Sequence, residues 1–391
     1  MKKTTLSSLL TLLLSTAPTT TAQVTGSPSG FAAGTTGGGN ATPQTPSSLA
    51  ELVTWITDST PRTILIDREW NFIGTEGTTS SQCCSNQITV CAGGTSAGQA
   101  WIGDTCDDGT WISCTYDNAG QSPLDVGSDK SIVGVGSAGV LRGKGLRVRG
   151  GNRNVIIQNI HVTELNPRYV WGGDAITLDG SDMVWIDHCK FSLAGRQFIV
   201  SGWGAAGRVT ISNNEFDGVT SWSAGCNGRH YWTLLLIGEE DWYTFQGNWV
   251  HDVSGRAPHL GTDYTDSRIL FHGVNNYFQD VGGHAFDVDT NTWVLLEGNY
   301  FDGVDTPVTG GTLSSGALVY NVPTVDSASA CVSSLGYICE WNRLAASGSW
   351  PSLAQQAVLD TFSEYTDSLV DAYGVADVPA TVVANAGVGK I

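Results

Sequence analysis

Three observations predict an all-β fold: a single-stranded right-handed parallel β-helix with loop insertions and short helical covers at both ends. First, eight-residue segments of one pattern recur: VIIQNIHV from Val155, VWIDHCKF from Val184, VTISNNEF from Val209, YTFQGNWV from Tyr243, FHGVNNYF from Phe271 and VLLEGNYF from Val294. They are spaced by 29, 25, 34, 28 and 23 residues. Second, their sixth place holds Ile160, Cys189, Asn214, Asn248, Asn276 and Asn299, with four asparagines in succession. Stacked coils would lay such side chains into a hydrogen-bonded ladder at a turn, where Asn tolerates left-handed backbone. Third, 391 residues exceed what one ordinary core organises, but a stack grows by repetition and accepts insertions of any length between its strands. Sandwiches also have many short strands, but not this register.

In chain order, residues 1–22 predict a secretory signal peptide: Lys2 and Lys3, a leucine-rich run, then small residues ending at Ala22. Residues 23–391 then form one exported domain, with no stretch suited to span a bilayer. A Gly/Ser/Thr-rich lead-in to Pro46 carries a glycosylation sequon at Asn40. Ser47 to Asp58, with Leu49, Leu52, Val53 and Ile56 on one face, predicts an amphipathic helix, and TILID after it a strand. The cysteine-rich segment from Ser80 to Tyr116 reads as a stapled loop. GVGSAG from Gly134 fits a dinucleotide-binding glycine pattern, but no helix follows it, so that reading is rejected. Pro351 to Gly374 reads as a helical cover over an end or side of the stack.

Lys plus Arg number 19 against 37 Asp plus Glu, a formal charge of −18, which excludes nucleic acid and anionic membranes as partners. The same charge repels a strongly anionic polymer and leaves a neutral one unopposed. Nine cysteines in an exported chain imply disulfides and at least one thiol left over. Cys331 and Cys339 form the nearest pair; Cys83 and Cys106 are assigned to disulfides within the Cys83 to Cys114 cluster, whose connectivity stays open. Cys189, on a buried strand, is the candidate free thiol.

The stretch from Asn166 to Val200 concentrates the chemistry. It places Asp174, Asp187 and Arg196 among the short apolar strands AITL, MVWI and FIV, with Trp171 beside them. The motifs WGGDAITLD, VWIDH and GRQ, with CNGRHYW from Cys226 and SGRAPH from Ser254, resemble the fungal secreted pectin lyases of the pectate lyase superfamily. The resemblance runs from Val24 to Gly389.

It implies an endo-acting lyase that cleaves methyl-esterified galacturonan, the pectin of plant cell walls, by β-elimination without metal or other cofactor; the sequence shows no sign of an oligomer interface, so a monomer is expected. Such chemistry needs a base at the carbon next to the carboxyl ester and positive charge at the developing enolate. By resemblance Arg256 is the proton-abstracting arginine, although a guanidinium with a pKa above about 12 is a poor base unless burial or a like charge lowers it. Electrostatic stabilisation by Arg256, with another group as base, stays open. Arg196 matches an arginine that stands where related pectate lyases bind calcium, and Asp174 matches a calcium ligand of those relatives. Here Asp174 is expected to orient Arg196 or Arg256 through a charge-assisted bond, or else to satisfy turn amides. Trp171, Trp232, Tyr231 and Trp101 match or neighbour the aromatic positions of the family's cleft, and Cys91 or a neighbour is implied to pair with Cys226. His259 stands where the family has lysine and Phe198 where it has histidine. Asp187 is read as a buried acid holding a turn, and the remaining histidines as structural or surface groups.

Three other readings have distinct signatures. A calcium-dependent pectate lyase would draw on Asp174, Asp179 and Asp182, which Arg196 opposes. A galacturonan hydrolase needs carboxylates flanking the bond. A non-catalytic wall-binding protein has no use for Arg196 and Arg256 together.

Overall fold

The computed structural model describes residues 23–86, 91, 98–103, 105–107, 109–262 and 267–391; the signal-peptide expectation lies outside them. Three parallel sheets run the length of a stack. The first has nine strands from Arg62–Ile66 to Leu318–Tyr320, the second nine from Glu69–Asn71 to Arg343–Ala345, and the third eight from Leu124–Asp125 to Thr306–Val308. Each coil contributes one strand per sheet, which is the predicted parallel β-helix.

Identical register from coil to coil lines the interior with like residues. Ile157, Ile186, Ile211 and Phe245 align in the first sheet, and Phe191, Phe216, Val250, Phe278 and Phe301 in the second. The phenyl rings of Phe278 and Phe301 stack at 4.7 Å and those of Phe191 and Phe216 at 5.3 Å. Burial of these rows is the main stabilising term. Gly273 interrupts the aliphatic row because a Cβ there would come within 2.7 Å of Leu296.

The ladder forms between the first and second sheets. Asn214 Nδ2 donates to Asn248 Oδ1 (3.0 Å), Asn248 to Asn276 (3.0 Å), Asn276 to Asn299 (2.8 Å) and Asn299 to Asn342 (2.9 Å). Each side chain also satisfies backbone groups of the adjoining coils. One part of the expectation is corrected: the left-handed residue is not the ladder asparagine but the one before it, Asn213, Gly247, Asn275 and Gly298. The turn is made at that position, which frees the next side chain to point inward. Asn342 extends the ladder by a rung that a 43-residue spacing hid from the repeat.

Helix Leu49–Thr57, capped by Ser48, buries Leu52 and Ile56 against the first coil. The lead-in straps the outer face of the first sheet, where Phe31 and Ala32 amides donate to Thr244 and Thr210. At the other end the expected single helix is two pieces: Gln356–Phe362 and a 3-10 segment, Ser363–Ser368. Two further helices cover the stack, Val325–Leu335, which carries Cys331, and Val378–Asn385, which packs on Tyr277. No helix of the described residues is long and apolar enough to cross a membrane.

The described residues of the cysteine-rich segment form strands rather than a loop. Thr78–Asn86 and Gly109–Asp117 pair antiparallel, and Ala100–Ile102 joins them to Tyr169–Val170, giving a four-stranded sheet beside the third sheet. Cys83 is bonded to Cys114 and Cys84 to Cys106; Cys91 is bonded to Cys226 and Cys331 to Cys339. Cys189 is a free, buried thiol, pushed up to about 12 by desolvation. The Cys83–Cys114 disulfide between antiparallel strands staples a sheet whose own core is small: Cys83, Ala100, Ile102, Cys114 and Tyr169.

Candidate functional site

Sequence-distant residues meet at the corner that feeds the third sheet. Asp174 precedes strand Ile176–Asp179, Arg196 precedes Ile199–Ser201, Trp232 precedes Leu234–Leu236, and Arg256 precedes His259–Leu260. The strands pair in this order, so successive coils, about 4.8 Å apart, present these side chains along one edge.

Arg196 lies with its guanidinium carbon 3.8 Å from the Trp171 ring centroid and its Nη1 4.0 Å from Asp174 Oδ2. The expected charge-assisted bond from Asp174 is therefore corrected to a long ion pair. The close bond of Asp174 is to the Gln197 amide, 2.7 Å from Oδ1. Asp174 thus holds the turn that aims Arg196, and burial raises its carboxyl against the pull of Arg196. Gly195 precedes Arg196 because a Cβ would press to 2.5 Å from Tyr169 O.

Arg256 sits over the Trp232 ring at 4.9 Å. Its φ of 47° is left-handed, a conformation costly for a non-glycine residue, and its amide donates to His284 Nε2 at 3.1 Å. Its Nη1 is buried without a hydrogen-bond partner. Desolvation lowers the Arg256 guanidinium, while Tyr231 and Asp287 act to raise it. Arg196 is lowered in the same way, first by burial, with the Arg256 charge adding to the effect against Asp174. Two desolvated guanidiniums within electrostatic reach of one another make a site suited to a developing oxyanion.

The aromatic residues divide by exposure. Trp171 is 42% exposed and open to a ligand, whereas Trp232 is only 7% exposed, a platform beneath Arg256 rather than a free stacking face. Trp101 meets Trp232 edge-on at 5.8 Å, and Tyr231 meets it at 4.9 Å. Gln99 accepts from Trp232 Nε1 and donates to Gly195 and Pro167 carbonyls, tying the small sheet to the edge of the cleft.

Several participants were not visible in the sequence. His230, read as structural or surface, donates through Nε2 toward the Arg196 and Trp232 carbonyls at 2.8 and 2.9 Å and stacks on Phe198; burial lowers it to about 4. His284 supports the Arg256 backbone. Gln197, fully buried, leaves both side-chain polar atoms without a partner. His259 is tied to Asp287 at 2.9 Å and faces Asp289 at 3.4 Å. Asp289 was missed because its place just past the strand His284–Val288 cannot be seen without the coil register.

Other acids do not gather with Asp174. Asp179 accepts from the Gly204 amide, Asp182 pairs with Arg208, and Asp187 is buried, bonded to Gln158, Ser212, Asn213 and His188. On the second sheet Glu215, Asp217 and His251 cluster, but the Lys190 ammonium lies 2.8 and 2.9 Å from the two acids.

The family model for pectate lyase matches residues 2–390. The chain belongs to the pectate lyase family. Among curated members it is 73% identical to the probable pectin lyase F-1 of Aspergillus terreus, with all of both chains covered. It is 72% identical to the probable pectin lyase F of Neosartorya fischeri, covering 95% of this chain and 96% of that one. Solved structures of the family share the fold at low identity. A pectate lyase of Bacillus sp. N165 in complex with trigalacturonate matches with TM-score 0.56 and 19% identity, over 93% of this chain and 99% of that one. Pectate lyase C of Erwinia chrysanthemi, solved with calcium, matches with TM-score 0.54 and 18% identity, over 93% and 96%.

Proposed function

We propose that this pectate lyase family member is a secreted, monomeric pectin lyase that cleaves methyl-esterified galacturonan by β-elimination, with residues 23–391 as its catalytic domain. The observation that carries the reading is the pairing of two desolvated guanidiniums, Arg196 and Arg256, on one edge of the stack. The names of the relatives at 72 and 73% identity support the substrate.

In the proposed reaction the carboxyl ester of one uronate lies against Arg196, and Arg256 faces the carbon that bears it. Removal of that carbon's proton sends the electron pair toward the carbonyl oxygen, where Arg196 stabilises the enolate. Collapse of the enolate forms the carbon–carbon double bond and expels the glycosidic oxygen, which takes up a proton. Arg256 takes the first proton as the neutral guanidine, the form that its burial favours. Arg196 supplies beside Asp174 the fixed positive charge that a metal would otherwise provide. Trp171 offers an exposed face to the sugar ring, Trp232 supports Arg256 from beneath with Trp101 and Tyr231 packed against it, and His259 lies one coil further along the same edge.

Near-ultraviolet absorbance during incubation with highly methylated pectin and a chelator tests this. Wild type is expected to produce the unsaturated chromophore and Arg256→Ala none; activity abolished by the chelator and restored by calcium would overturn the metal-free reading.

A further inference from the structure

Beyond Arg256 the edge of the third sheet changes sign, from arginines to carboxylates. His259 lies three residues after Arg256 on the outward face of its strand, and Asp287 stands opposite it on the next coil. The imidazole places Nδ1 2.9 Å from Asp287 Oδ2 and Nε2 3.4 Å from Asp289 Oδ2, so each ring nitrogen faces a carboxylate. Thr309, one coil further, donates to the other oxygen of Asp287 at 2.7 Å. These bonds hold Asp287 low, at about 2, so it is ionised throughout the working range. Two carboxylates against one imidazole leave a formal charge of −1 when the ring is protonated and −2 when it is neutral.

This arrangement differs from the other acid clusters of the fold. Glu215 and Asp217 share Lys190, and Asp125 is held by Arg147 and Arg149. A brace at His259 would need only one acid. The second carboxylate, from the same chain segment as Asp287, meets the same imidazole and adds a further negative charge there. The charge also reaches the reacting groups, since Asp287 acts on Arg256, Tyr231 and His284.

We propose that His259, Asp287 and Asp289 form an anionic filter beside Arg256, which admits a methyl-esterified uronate at that subsite and turns away a free carboxylate. The proposal rests on the reading of this groove as a uronan site. A carboxylate one coil spacing from a net negative cluster, in a partly solvated groove, is disfavoured on the order of tenfold relative to its uncharged ester. The guanidiniums still attract the reacting unit, so the filter acts on its neighbour.

The test measures kcat/KM on highly methylated and fully de-esterified galacturonan of equal length, with chelator, for wild type, Asp289→Asn and His259→Lys. Each variant is expected to narrow the preference for the methylated polymer by roughly tenfold, chiefly by raising kcat/KM on the charged one. Glu364→Gln, exposed on the C-terminal cover, changes the net charge equally and should leave the ratio alone. An unchanged ratio in both groove variants, an equal fall on both polymers, or an equal shift in Glu364→Gln would overturn the filter. Calorimetric binding of trigalacturonate, expected to tighten in His259→Lys, decides the question independently of turnover and of the folding of Asp289→Asn. If wild type makes no unsaturated product from either polymer, the lyase reading falls while the binding comparison still judges the filter.

Discussion

Two corners of the same coil are built on opposite terms. At the corner between the first and second sheets, Asn214, Asn248, Asn276 and Asn299 each donate to the asparagine of the next rung, and Asn342 closes the ladder on the Leu296 and Asn321 carbonyls. At the corner that feeds the third sheet, the Gln197 side chain and Arg256 Nη1 stay unpartnered. One corner repeats and is satisfied; the other varies and holds polar groups out of water without partners. Unpaired, desolvated donors cost stability but are ready to bind charge that develops in a reaction.

The largest break in this comparison is Arg256→Ala, expected to lower lyase activity by about 10³-fold with little change in thermal unfolding, because its main partners are an aromatic face and developing charge. Steady-state rates and melting curves together check it. Asn248→Ala should do the reverse, costing about 3 kcal/mol, since it orphans the Asn214 amides and the Ile211 carbonyl. Denaturant unfolding reads that loss, while activity per folded molecule should be retained.

Acid sharpens the contrast. His230 is neutral and buried, with its folded value down at about 4 from an ordinary value near 6.5. The unfolded chain therefore binds the extra proton first, and stability present above about pH 6.5 is lost as pH falls toward 4. Asp241, raised to about 6 by burial, contributes in the opposite direction, so the informative quantity is the difference between wild type and His230→Gln. That variant should lose about 2 kcal/mol less on acidification, measured by unfolding at a series of pH values.

The smallest effect is the most diagnostic. Gln197→Met removes two unsatisfied buried atoms at nearly constant volume and should stabilise the fold by about 1 kcal/mol, whereas Asn276→Leu at the ladder should destabilise it. Stabilisation by both substitutions, or by neither, would erase the distinction between the corners.

What the sequence determined by itself was whatever repeats or is local. The register of Val155, Val184, Val209, Tyr243, Phe271 and Val294 announced the stacked coils, and Ser48 with the Leu52 and Ile56 stripe announced the first helix. Arg196, Arg256 and Asp174 were legible because their motifs resemble a known family. Only the tertiary structure decided how far Asp174 stands from Arg196, that Trp232 is a covered platform, that Cys83 joins Cys114, and that Asp287 and Asp289 close on His259. The reason is geometric. Insertions of unequal length separate these residues in the chain, and only the stacking of coils, with one strand per sheet in each, brings them within a few ångströms of each other.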